Sequence, residues 1–193
     1  MILGLTGGMG CGKSTVAGLL TQQGWLRSDS DQVIREKLLP SKSSVEAIVD
    51  HFGPEALGPD GQVDRAWMAR RVFTDDAERV WLEKLLHPML YDHWRQTFHR
   101  EQDEKWVVEV PLLFEKDLEN WFDFTVCVSS QSSLQLARLA QRGIPTELAK
   151  LRIAKQLPIT RKMERADFVI ANDGSLEFLS DQVNLLITAL ASV

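Results

Sequence analysis

Two hydrophobic periods alternate along the chain. Short apolar runs occur at residues 2–5, 106–110, 124–128 and 168–171, with a weaker one at 25–28 that ends at Asp29. Runs of this length, bounded by turn or charged residues, read as strands. Between them the apolar positions fall at helical spacing. Residues 13–23 place Val16, Leu19 and Leu20 on one face before Gly24, and residues 31–39 close at Pro40. Residues 44–52 stop at Gly53-Pro54, and residues 65–73 and 77–86 follow Asp64 and Asp76 at N-cap positions. His87-Pro88 marks a boundary, and a further helix runs to about residue 102. Residues 133–142 end at Gly143, residues 146–156 stop near Pro158, and a last helix carries Leu176, Leu179, Val183, Leu186 and Leu190 on one face.

Strands separated by helices imply βαβ units, hence an α/β fold with a five-stranded parallel sheet flanked by helices. Residues 41–104 contain no strand pattern. The expected organisation is one domain: a core of 1–40 and 105–193, an α-helical insertion at about 41–104, and a helical lid at about 132–160.

Chemistry enters at the first strand–helix junction. Gly7-Gly8-Met9-Gly10-Cys11-Gly12-Lys13-Ser14 fits G-x-x-x-x-G-K-[ST], with a strand before it and a helix after. Glycines let the backbone turn several N–H groups onto one anion, and the helix start adds partial positive charge. Gly8, Gly10, Cys11, Gly12, Lys13, Ser14 and Thr15 are therefore candidate nucleotide-binding residues. Lys13 reaches the outer phosphates, and the Ser14 hydroxyl is placed to ligate magnesium. ATP and Mg2+ are the implied ligands, on a P-loop kinase fold. A regulatory GTPase would add an N-K-x-D base reader, and none occurs. Asp50-His51-Phe52-Gly53 fits D-x-x-G but sits at a helix end. A small kinase fits the length best.

Charge refines this picture. The net charge of −5 argues against a nucleic-acid partner. Between residues 138 and 165, however, eight basic residues face two acidic ones. Arg138 and Arg142, four apart, share a helix face there and suggest a lid that clamps phosphates, with a solvated basic face as the alternative. Asp29 and Asp31 follow the second strand, at the carboxyl edge where ligands of open parallel sheets sit. One of them can equally cap the helix that starts there. Glu109 ends the third strand as a second metal-shell carboxylate or a structural polar group. Asn172, Asp173 and Gly174, after the fifth strand, are candidates for the adenine site. The four histidines show no metal spacing, and the tryptophans suit packing in the core and insertion. Two cysteines and no apolar run of 18 residues give the expectation of a cytoplasmic protein, monomeric, with no membrane partner.

From residue 6 to residue 15, at Asp29-Ser30-Asp31 and at Arg35, the chain resembles the dephospho-CoA kinase family. Further matches are Phe52-Gly53, Asp60-Gly61, Asp64-Arg65, His87-Pro88, Val110-Pro111-Leu112-Leu113-Phe114-Glu115, Arg138, Arg142-Gly143, Arg152, Gln156, Ala166-Asp167 and Asn172. Cys11 stands where the family commonly has serine, Ser30 where it has alanine, and Ile34 where it has a small residue. The resemblance implies transfer of the ATP γ-phosphoryl group to the ribose 3′-hydroxyl of dephospho-CoA, the last step of coenzyme A synthesis. It implies Asp31 as the base, and Arg35, His87, Pro111, Leu112, Leu113 and Glu115 on the acceptor side. The alternatives are a nucleoside-monophosphate or shikimate-like kinase on the same core, and a non-catalytic nucleotide switch.

Overall fold

Each apolar run becomes a strand of one parallel sheet. In the computed structural model, which describes residues 1–192, the strands are β1 (Ile2–Gly7), β2 (Leu26–Asp29), β3 (Trp106–Glu109), β4 (Phe124–Ser129) and β5 (Phe168–Ala171). Their spatial order is β2-β3-β1-β4-β5, every neighbouring pair parallel. The helices are α1 (Lys13–Gln22), α2 (Ser30–Val33), α3 (Lys42–Phe52), α4 (Arg65–Thr74), α5 (Asp76–Arg100), α6 (Ser132–Gln141), α7 (Thr146–Ala154), α8 (Ile159–Arg165) and α9 (Leu176–Leu190). The chain divides into two compact units: Met1–Asp29 with the chain from Asp103 onward, and Ser30–Gln102. The second of these units is helical.

In the first unit, Leu3, Leu5, Val107, Val126 and Val128 of the sheet are closed to solvent. They pack with Val16, Ala17 and Leu20 of α1 and with Leu179, Val183, Leu186 and Leu190 of α9. At about 1.5–3 kcal/mol for each large buried side chain, this cluster dominates the unit's stability. At Gly4, any Cβ would lie 2.6–2.7 Å from the Phe122 and Leu113 side chains, so the loops after β3 can close onto β1 only over a glycine. Register then brings the chemistry to one edge: Leu5 and Asp29 both pair with Glu109, and Gly7 pairs with Val128.

In the helical unit, the Ser41 hydroxyl accepts from the Ser44 N–H to start α3, and Asp64 accepts from the Ala66 and Trp67 N–H groups to start α4. Ile48, Met68, Leu86, Leu90 and Trp94 are among its buried residues. His51 stacks on Trp81 with ring centroids 3.9 Å apart, and Phe52 meets Trp67 and Trp81 edge-on. Trp67, Trp81 and Trp94 are thus packing residues.

Four local expectations change. The break at His87-Pro88 does not occur: α5 runs unbroken for 25 residues with Pro88 inside it. Pro88 is exposed, and a proline costs the helix one main-chain bond, which burial of Leu86, Leu90 and Trp94 around it offsets. The N-cap of α5 is Asp75, which accepts from the Ala77 and Glu78 N–H groups, not Asp76. Beyond Pro158 the chain forms another helix, α8, and α2 passes into a π-helical turn at Ile34–Leu38. Among the described residues no helix is long and apolar enough to cross a membrane.

Candidate active site

β1 delivers the chain to Gly7, and the following residues wrap into the start of α1. Gly10 (φ 80°) and Gly12 (φ 93°) take left-handed backbone that side chains disfavour. A Cβ on Gly12 would also lie 2.1 Å from the Asn172 amide nitrogen, so glycine there is required twice over. No side chain caps α1 and no acidic residue stands in its first turn, so the helix start keeps its positive end for an anion. Lys13 folds back over the loop, its Nζ donating to the Gly7 and Gly8 carbonyls at 3.1 and 3.2 Å. Cys11 is fully buried, and burial pushes its thiol pKa up, partly opposed by the Lys13 charge. Its contribution to the cradle is therefore backbone.

Ser14 and Glu109, both assigned to the metal from sequence, are brought together. The Ser14 hydroxyl donates to Glu109 Oε2 at 3.1 Å, and Glu109 is 2% exposed. Among the described residues no group of three or more His, Cys, Asp or Glu side chains is placed to hold an ion. A sparse, hard oxygen set of this kind fits Mg2+, which keeps waters and substrate phosphates in its shell. Sequence reasoning missed the other partner. Arg27 of β2 reaches the remaining oxygen, Glu109 Oε1, with Nε at 2.8 Å and Nη2 at 2.6 Å.

The basic segment separates into different environments. α6 ends at Gln141, so Arg142 is its exposed C-cap. Arg138 is committed to the loops around the cradle: Nη1 donates to Ser130 Oγ at 3.1 Å and the Gly10 carbonyl at 3.4 Å, and Nη2 donates to the Asn172 carbonyl at 2.9 Å. The two arginines thus differ in environment, one hydrogen-bonded into the loops and the other exposed at the helix end. Asn172 is 8% exposed, and its amide donates to the Cys11 carbonyl at 2.8 Å. Asp173 accepts from the Ser130 hydroxyl at 3.0 Å and the Gln131 N–H at 2.7 Å. These two candidates for the adenine site are thus hydrogen-bonded to the loops around the cradle. Gln156, after α7, accepts the Met9 N–H at 3.0 Å and ties the lid segment to the loop.

The segment 111–115, expected as an acceptor wall, is clamped to α8. Lys162 is closed to solvent and donates to the Pro111 carbonyl at 2.8 Å. It also pairs with Glu115 Oε1 at 2.8 Å, an oxygen that accepts the Leu157 N–H at 2.9 Å. Leu113 is a core residue, 0% exposed, whereas Leu112 is exposed. Arg165 donates to the Phe114 carbonyl at 3.0 Å, pairs with Asp117 and Glu119, and lies over the Phe114 ring. No short-range pattern announces these contacts.

The remaining candidates belong to the helical unit. Asp31 is exposed in the first turn of α2. Arg35 lies on the π-helical turn, a geometry frequent at functional sites, and pairs with Glu36 at 3.2 Å. It lines a cavity of about 470 Å3 with Arg65, Asp60 and Gln62, over Leu39 and Val63. A hydrogen bond from Gln32, then one from Arg35, holds the Glu36 carboxyl below its usual range. His87 is half-buried on α5, its ring 6.0 Å from that of Tyr91.

The family model for dephospho-CoA kinase matches residues 1–177. A dephospho-CoA kinase of Shewanella oneidensis is 37% identical over 96% of this chain and 91% of its own. One from Thermosynechococcus vestitus is 39% identical over 94% and 91%. A Thermus thermophilus crystal structure, 32% identical, superposes over 98% of this chain and 97% of its own with a TM-score of 0.86. Shikimate kinase from Bacteroides thetaiotaomicron, 17% identical, shares the fold at a TM-score of 0.55 over 100% and 99%. With its nucleotide cradle at the head of a parallel sheet and a family match over nearly its whole length, the chain belongs to the dephospho-CoA kinase family.

Proposed function

We infer that this protein transfers the γ-phosphoryl group of ATP to the 3′-hydroxyl of dephospho-CoA, releasing CoA and ADP. The observation that carries this is the family match over residues 1–177, with the P-loop in place between β1 and α1. In the reaction the acceptor O3′–P bond forms as the bond from Pγ to the bridging oxygen of ADP breaks. The hydroxyl proton passes to a carboxylate.

The chain's residues take the following roles. The Gly8–Gly12 backbone and the start of α1 bind the phosphates, and Lys13 exchanges its loop carbonyls for phosphate oxygens as charge moves outward. Ser14 and Glu109 hold Mg2+, which neutralises phosphate charge when bound. Thr15 adjoins Ser14 at the same helix start. Asp31 orients the acceptor hydroxyl and takes its proton. Arg142 neutralises the transferring group, and Arg138 acts by bracing Gly10 and Asn172. The acceptor's diphosphate lies against Arg35 and Arg65 in the 470 Å3 cavity, a size usual for ligand pockets. Displacing Glu36 from Arg35 exchanges one anion for another. His87 and Leu112 contribute further acceptor contacts. The enzyme is a cytoplasmic monomer without a nucleic-acid or membrane partner.

The test is ADP release in the presence of ATP and Mg2+, with dephospho-CoA, shikimate, AMP and CMP compared as acceptors. Dephospho-CoA should exceed the others in kcat/KM by at least about a hundredfold, the discrimination several matched polar contacts provide. Faster phosphorylation of shikimate or a nucleoside monophosphate would replace this reading with the sibling activity.

A further inference from the structure

The Arg27–Glu109 pair is placed where it can act on the metal. In the parallel register Asp29 pairs with Glu109, and Arg27 stands two residues before Asp29 on the same face of β2. Two carboxylates therefore occupy neighbouring positions at the sheet's carboxyl edge. One of them, Glu109, is 3% exposed at its side chain and would be costly to hold charged alone. Both Arg27 donors go to a single oxygen, Oε1, at 2.6 and 2.8 Å. The other, Oε2, is left to the Ser14 hydroxyl at 3.1 Å.

We propose that Arg27 is a positioning residue that fixes Glu109 toward Ser14 and, as a resident counter-cation, sets how tightly the site takes a divalent cation. This rests on Ser14 and Glu109 being the metal-shell residues. Arg27 directs Oε2 at the metal position while competing, through its charge, with the incoming ion. The site consequently holds a divalent cation weakly until nucleotide phosphates add their own negative charge. Arg27 is 39% exposed at its side chain, so salt screens the competition in part.

The test is direct binding of Mn2+, read by the electron paramagnetic resonance of the free ion, with a non-hydrolysable ATP analogue present. Arg27→Met keeps an apolar stem and removes the charge. It should tighten Mn2+ binding about fivefold at low salt, the scale of one partly exposed charge pair, and less at high salt. Arg27→Lys should stay close to wild type. In a Glu109→Gln background the gain from Arg27→Met should shrink. If Arg27→Met does not fold, Arg27→Gln carries the same expectation. Unchanged or weaker binding in the neutral variants, or an equal shift in the Glu109→Gln background, overturns the role of Arg27. Equal Mn2+ affinity of the wild-type and Glu109→Gln complexes overturns the metal assignment itself.

Discussion

Replacing Lys162 by methionine tests the clamp between α8 and the loop after β3. The ammonium is closed to solvent, 2.8 Å from Glu115 Oε1 and 2.8 Å from the Pro111 carbonyl. Glu115 is itself 16% exposed, so solvent does little to screen the pair. Lys162→Met keeps the stem packed but leaves a mostly buried carboxylate with the Leu157 N–H as its remaining donor. Breaking one side of a buried pair costs about 3–5 kcal/mol, and a chain of this size loses roughly 10 °C in Tm at that cost. Glu115→Gln alone removes the opposite charge and leaves the ammonium buried with a carbonyl partner, which costs about 2–4 kcal/mol by the same reasoning. The double variant leaves no uncompensated charge, so it should be about 1–3 kcal/mol more stable than the sum of the single losses predicts. Urea unfolding at pH 7 of the wild type and the three variants closes this cycle. A loss below about 1 kcal/mol in Lys162→Met, or strict additivity in the double variant, refutes the clamp.

Other outcomes are expected. Lys13→Ala should lower turnover at saturating ATP and magnesium by about a hundredfold or more, the scale for one preorganised cation; retention of a tenth of wild-type turnover in a coupled ADP assay contradicts the role. Burial pushes the Cys127 thiol up from 9.0 to about 12. The unfolded chain therefore loses that proton first, and stability fully present below pH 9 should fall toward pH 12, by up to about 1.4 kcal/mol per pH unit. Cys127→Ala should flatten this alkaline loss in urea titrations. Cys11→Ser should leave catalysis nearly unchanged, and alkylation of the buried Cys11 in the folded protein should be far slower than in urea. If Arg65 contacts the acceptor diphosphate, Arg65→Gln should reduce kcat/KM for dephospho-CoA about tenfold, on the scale of one charge-assisted contact, and leave adenosine, which lacks the diphosphate, unaffected.

The parts of this molecule that could be read in the sequence are those specified locally. The five strands follow from apolar runs, and the nucleotide loop from its glycines and Lys13-Ser14 between a strand and a helix. Glu109 was placed by its position at a strand end, and register brings it to Ser14. The parts that were not legible depend on distant partners or on tertiary override. Pro88 reads locally as a break, yet the helix continues because the flanking apolar residues are buried. α8 was missed because Pro158 read as a stop and because the following Thr-Arg-Lys-Met-Glu-Arg run is polar; its anchor, Lys162, is buried by a carboxylate 47 positions earlier. Spacing says nothing of the carbonyls that accept from Arg138. Arg27 gave no signal, since its partner lies 82 positions away.

The central claim is that a phosphate monoester forms on the ribose 3′-oxygen of dephospho-CoA with Asp31 taking the hydroxyl proton. Its most direct test is phosphorus NMR of the product of wild-type enzyme, ATP and dephospho-CoA, followed over time beside Asp31→Asn. Wild type should yield CoA with a 3′-phosphomonoester resonance. Asp31→Asn should form it about a hundred to ten thousand times more slowly, with nucleotide affinity retained by calorimetry. No 3′-monoester from the wild type, or an Asp31→Asn enzyme at full rate, would contradict the account.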